Sequence, residues 1–170
     1  MSDALVWALH TARQQTLTLV ADVPDDRIFL QSAEGEQHPA WILGHLLLAD
    51  VYLLSLLGLW DLPEDFGILL RAHGPGAAPE PSADSYYAKA AMVGRLEDTG
   101  LARIKAVKSH TGPDLVRPLP DEVLAKAQPT IGHHLHSLVF HEGYHCGQLS
   151  AWRKAHGFGS TRWMFGPKGL

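Results

Sequence analysis

His141, Glu142 and His145 stand in the string F-H-E-G-Y-H-C-G-Q-L, Phe140 to Leu149. On a helix, residues i and i+4 share one face, so both imidazoles can reach one metal ion. The string also matches H-E-x-x-H, in which two histidines hold zinc and the glutamate serves as general base in metalloproteases. A catalytic zinc takes three protein ligands and one open position, so this pair is incomplete. In the protease pattern the third ligand follows downstream. Here no Asp or Glu follows Glu142. The extended form H-E-x-x-H-x-x-G-x-x-H also fails, because the glycine is Gly147, one position early, and residue 151 is Ala151. His156 lies about three turns beyond His145 on the same helix and is out of reach. The pair therefore reads as part of a metal site other than a protease's, with its third ligand on another helix.

His45 is the best candidate for that ligand. It sits inside Trp41 to Trp60, the most apolar stretch of the chain, where an unpaired imidazole is costly to bury. The residues alone leave open a core histidine bonded to a backbone carbonyl or to Asp50. Of the remaining histidines on the last helix, His134 projects toward His141 but lies two turns away, about 10.5 Å along the axis. His133, His134 and His136 are read as solvent-facing or structural. Gln148 falls within about 20° of His141 at about 100° per residue. It either donates to a metal-bound group or ties two helices together. Glu142 lies about 80° from the His141/His145 ridge. It is either an acceptor or base for a metal ligand or a partner in an inter-helix ion pair. Tyr144 points away from the ridge and reads as packing, Cys146 as a small core residue, and Trp41 as a wall of the pocket or core.

Four helical segments must position these groups. The first runs from about Ser2 to Ala21, with Ser2 or Asp3 as N-cap, an apolar face of Leu5, Ala8, Leu9, Ala12, Leu17 and Val20, and Pro24 closing it. The second starts near Pro39 and ends near Gly58. The third runs from Ser82 or Ala83 to Ser109, with a possible break at Gly100. The last starts after the N-cap Thr130 and ends at Gly157. A Gly- and Pro-rich connection, Leu59 to Ser82, carries a short helix near Pro63 to Leu70 and is long enough to cross a bundle. Thr111 to Pro129 is a second connection, held extended in part by Pro118 and Pro120. No strand alternation and no repeat is visible. The expected fold is all-α, a four-helix bundle with a long crossover, in one domain spanning 1–170. Its aromatic tail, 157–170, packs Phe158, Trp163 and Phe165 on the bundle or a partner.

Composition narrows the class. The chain has 170 residues, 46% apolar and 19% charged, with net charge -4. That suits one globular domain and not a general nucleic-acid binder. A single cysteine excludes an intrachain disulfide framework. The N-terminus lacks a basic n-region and cleavage site, so a cytoplasmic protein is expected. Trp41 to Trp60 is long enough to span a membrane, but a central Asp50 costs about 2.5–3.5 kcal/mol there. A buried bundle helix is the simpler reading.

Two motifs, A-W-I-L-G-H-L from Ala40 to Leu46 and H-E-G-Y-H-C-G-Q-L from His141 to Leu149, resemble those of the DinB-like (DinB/YfiT) superfamily of metal-dependent proteins. Their order and spacing, with the helix pattern, cover nearly the whole chain. The resemblance implies a four-helix bundle with a crossover, often a homodimer. It implies one divalent metal, usually zinc or nickel, on His45, His141 and His145. It also implies transferase or isomerase chemistry with a low-molecular-weight thiol such as bacillithiol, mycothiol or glutathione.

Three neutral histidines would leave the ion's double charge uncompensated, making it a strong Lewis acid toward water or a thiol. The leading expectation is a thiol-dependent S-transferase acting on a small electrophile, with Glu142 and Gln148 as candidate catalytic residues. The alternatives are a hydrolase using a metal-bound hydroxide with Glu142 as base, or a non-catalytic stress-response or binding module stapled by its metal.

Overall fold

The structure, a computed structural model, describes residues 2–159 apart from 83, 85 and 111. Four long helices carry the architecture: α1 (Ser2–Ala21), α2 (Pro39–Leu56), α4 (Lys89–Ser109) and α6 (Ile131–Ala155). Between α2 and α4 lies a shorter helix, α3 (Phe66–His73). One turn, α5 (Gly112–Leu115), and a 3₁₀ turn at Leu124–Lys126 lie between α4 and α6. Helix α1 packs on α4 and α6, and α2 packs on α4, α6 and α3. The fold is all-α. Among the described residues the only β-type pairing is an isolated bridge between Pro118 and Thr130.

The ends of these helices follow local chemistry. Pro39 opens α2, where its missing N–H costs nothing. The preceding His38 caps the helix, its Nδ1 accepting from Trp41 N–H at 3.2 Å. Gly58 follows α2 with φ 67°, a left-handed turn that glycine takes without strain. Thr130 caps α6 by accepting from His133 N–H at 3.3 Å. Gly157, at φ 77°, follows its end.

Three boundaries differ from the sequence reading. Helix α4 begins at Lys89 rather than at Ser82 or Ala83, and Ala83 lies outside the described residues. Tyr86 and Tyr87 explain the delay. The Tyr86 ring stacks on Phe29 and meets His38 edge-on, and the Tyr87 hydroxyl donates to Asp65 at 2.5 Å. These contacts hold the chain off the helix until Lys89, whose ammonium donates to the Val23 carbonyl beyond α1. Helix α4 does not break at Gly100. A Cβ there would come 3.3 Å from Arg13 Cγ, so the glycine gives α1 room to approach. The short helix runs Phe66–His73, ending three residues later than expected.

Helix α2 is apolar nearly all round and is long and apolar enough to cross a membrane by length and composition. It is also mostly buried inside the protein. Ile42, Leu43, Leu47, Leu53 and Leu54 are fully enclosed. Each such side chain contributes about 1.5–3 kcal/mol of transfer free energy. It is a core helix packed against α3, α4 and α6. Of the aromatic tail, Phe158 stacks on Trp152 with centroids 5.3 Å apart. Trp163 and Phe165 lie outside the described residues.

Candidate metal centre

The four long helices are pinned by a buried ionic cluster to which each contributes. Arg13 of α1 binds Glu142 Oε1 of α6 at 2.5 Å and Asp50 Oδ2 of α2 at 2.8 Å. Arg103 of α4 binds Asp50 Oδ1 at 2.9 Å and Glu142 Oε2 at 2.8 Å. Thr99 donates to Asp50 at 2.6 Å and Thr16 to Glu142 at 3.1 Å. Two cations face two anions, and the lone pairs are taken up, which is the condition for charges to be tolerated at such depth. Burial pushes the Glu142 carboxyl up, but the two guanidinium groups outweigh it and hold the group below its usual range.

This cluster fixes the rotation of α2 and α6. With Glu142 turned to the interior, the His141/His145 ridge faces α2. The Nε2 atoms of His45 and His145 lie 3.0 and 3.1 Å from His141 Nε2. The three ligand atoms all lie within 4.8 Å of one another. The ring of Trp41, one turn before His45, stacks on it at 4.8 Å with planes 10° apart. His45, His141 and His145, named from the sequence, are therefore brought together.

Their tautomers follow from their outer partners. The His45 Nδ1–H donates to the His73 backbone carbonyl at 2.7 Å. The His145 Nδ1–H donates to Gln148 Oε1 at 2.6 Å, and the Gln148 amide donates in turn to Gln37 Oε1 at 2.5 Å. Both Nε2 atoms thus present lone pairs to the space beside His141 Nε2. One proton on His141 could satisfy only one of them. A cation satisfies all three. Tetrahedral ligands at a zinc–nitrogen distance of 2.0–2.1 Å stand about 3.3 Å apart, close to the two distances seen. Imidazole donors suit zinc and nickel alike. Burial, then mutual repulsion, depresses the pKa of His141 and of His145 to about 4, and burial lowers that of His45. The rings are neutral at pH 7, the form that binds metal.

The candidate catalytic residues separate. Glu142 is enclosed and engaged by Arg13, Arg103 and Thr16, so it is the inter-helix ion partner and not a free base. The hydrolase alternative is left without Glu142 as its base. Gln148 neither ties two helices nor stands free to meet a metal-bound group. It orients His145. Asp50 belongs to the ionic cluster and not to His45. Tyr144, expected to pack, is 57% exposed, with its ring 5.2 Å from that of His145. His134 is buried and structural, with its Nδ1 on Gln128. Cys146 is buried beside Thr16, and its thiol is pushed up to about 11 by that burial.

Sequence reasoning missed Arg13, Arg103 and His73. Arg13 stands one turn after Leu9 on the buried face of α1, and a charge in line with an apolar face was the available signal. His73 gave none, because it meets His45 through its backbone carbonyl and its ring docks on a glycine of another helix.

A cavity of about 740 Å³ opens beside the histidines, lined at one end by His45 and His141 and along its length by apolar side chains of α2, α3 and α6. No curated protein sequence matches the chain. The family model described as the DinB superfamily matches residues 8–149, a span that contains both histidine motifs, all of α2 and α4, and most of α1 and α6. The chain belongs to the DinB superfamily.

Proposed function

We propose that the protein is a metal-dependent enzyme in which His45, His141 and His145 hold one divalent ion, zinc or nickel, and a small thiol is activated for transfer to an electrophile. The observation that carries this reading is the convergence of three neutral Nε2 atoms, two with tautomers locked from behind, beside a cavity that His45 and His141 line. A structural zinc site is usually closed by four protein ligands. Three ligands and an adjoining cavity favour an open position over a mere staple.

When bound, such an ion supplies Lewis acidity that lowers the pKa of a thiol or water brought to it. The chain's own residues do the rest. His73 and Gln148 hold the two outer rings in register, and Trp41 stacks on His45 to limit its swing. The apolar walls, among them Leu48, Leu70 and Leu138, displace water from an electrophile and strengthen electrostatics at the ligands. Glu142 takes no proton, being held as an anion by two arginines. The expected setting is cytoplasmic, and the expected assembly a homodimer.

The test is elemental analysis of the purified protein, followed by a panel of bacillithiol, mycothiol, glutathione and cysteine against alkyl and epoxide electrophiles. Near-stoichiometric metal and thiol consumption that stops on chelation support the reading. Stoichiometric metal with no thiol turnover across the panel would remove the transferase assignment.

A further inference from the structure

We propose that the cavity beside the histidines selects a ligand with an apolar body and a neutral or cationic far end, and that the Asp121 carboxylate is the group that reads that end. The inference deepens the transferase reading at the histidine end, but its charge rule stands on the far end alone. Among the described residues lining the cavity, Asp121 is the only side chain with a formal charge, and no Lys or Arg lines it. Its carboxylate is built in. Oδ1 accepts from the N–H groups of Val123 and Leu124, each at 2.8 Å, and Oδ2 accepts from the Tyr52 hydroxyl.

The walls between the two ends are apolar, with Leu48 of α2, Phe66 and Leu70 of α3, and Leu138 and Phe140 of α6. Tyr52, which holds Asp121, stands seven residues after His45, about 10.5 Å along α2, and His134, which also lines the cavity, stands the same distance before His141 on α6. A ligand reaching from the histidines to this level therefore needs an extended body of about that length. A carboxylate or phosphate there would meet the Asp121 charge with no cation among those side chains to offset it. An ammonium group or a hydroxyl would find an acceptor. The charge pattern thus disfavours thiols that place a carboxylate at the far end.

Calorimetry on the metal-loaded protein tests this with three probes of one length: 8-amino-1-octanethiol, 8-mercapto-1-octanol and 8-mercaptooctanoic acid. The expected order is amine, then alcohol, then acid, with at least a tenfold gap between amine and acid at low salt. Asp121→Asn keeps an oxygen for the two backbone N–H groups and should shrink that gap to less than threefold. Raising the salt should narrow it in the wild-type protein, a readout that needs no variant. An acid that binds as tightly as the amine, or a gap unmoved by Asp121→Asn, would overturn the proposal. In the cobalt-substituted protein, a charge-transfer band on adding the probes reports thiol at the metal. Its absence with all three would count against the transferase reading, while the calorimetric order would still decide the role of Asp121.

Discussion

The imidazole of His73 fills the space where a side chain on Gly44 would begin: a Cβ at Gly44 would lie 2.0 Å from His73 Cε1. The docked ring donates from Nδ1 to the Trp41 carbonyl at 3.1 Å. Its own backbone carbonyl is thereby brought to His45 Nδ1. The glycine before His45 in A-W-I-L-G-H-L thus has a physical reason. It admits the residue that orients the ligand beside it.

Gly44→Ala must push His73 outward. Loss of an outer partner typically weakens metal binding by roughly 10–100-fold, and overpacking costs about 1–3 kcal/mol. A competition titration against a chromophoric chelator should show metal affinity down at least tenfold. Unchanged affinity would show that the His73 carbonyl does not position His45.

Gly94→Ala is the matching control. Apart from the helix's own backbone and the neighbouring residues, no atom lies within 4 Å of a Cβ at Gly94, in the interior of α4. Removing glycine from a helix interior gains about 0.5–1 kcal/mol. Denaturant unfolding should show a small rise in stability, and metal affinity should stay put.

Glu142→Gln separates an ion partner from a catalytic base. It leaves two buried guanidinium groups facing one carboxylate. Breaking a buried pair in this way costs about 3–5 kcal/mol, which should appear as a large drop in the denaturation midpoint. Wild-type stability with lost turnover would instead return Glu142 to the chemistry.

His38 gives the fold an acid-sensitive joint. Its Nδ1 must stay unprotonated to cap α2, while its Nε2–H donates to the Glu80 carbonyl at 2.9 Å. Burial lowers its pKa in the folded state. The unfolded chain therefore takes up the proton first, and the stability His38 contributes is present above about pH 6.5 and lost as pH falls. His38→Asn keeps a capping oxygen and removes the titration. In excess chelator, the slope of stability against pH between 6.5 and 5 should fall by up to one proton, about 1.4 kcal/mol per pH unit. An unaltered slope would place the acid sensitivity elsewhere.

The long helices were legible because their signals are local. Pro39, Gly58 and Gly157 mark their ends by backbone preference, and Thr130 by its side-chain cap. The two ligands one turn apart on α6 were legible for the same reason. His45 needed the family motif, since a histidine in an apolar helix has several satisfied states. What stayed hidden is tertiary. The angle of Glu142 to the His141/His145 ridge was readable, but whether it met solvent, metal or cations depended on Arg13 and Arg103 from other helices. Tyr86 and Tyr87 overrode the helical pattern before Lys89 through partners some 20 to 60 residues away in sequence.

The central claim is that one divalent ion sits among His45, His141 and His145, and metal stoichiometry in alanine variants tests it most directly. Elemental analysis of folded wild-type, His45→Ala, His141→Ala, His145→Ala and His134→Ala proteins should give near one metal per chain in the wild type and in His134→Ala. It should give almost none in the other three. Full metal content in His45→Ala, with circular dichroism showing an intact fold, would contradict the three-histidine site.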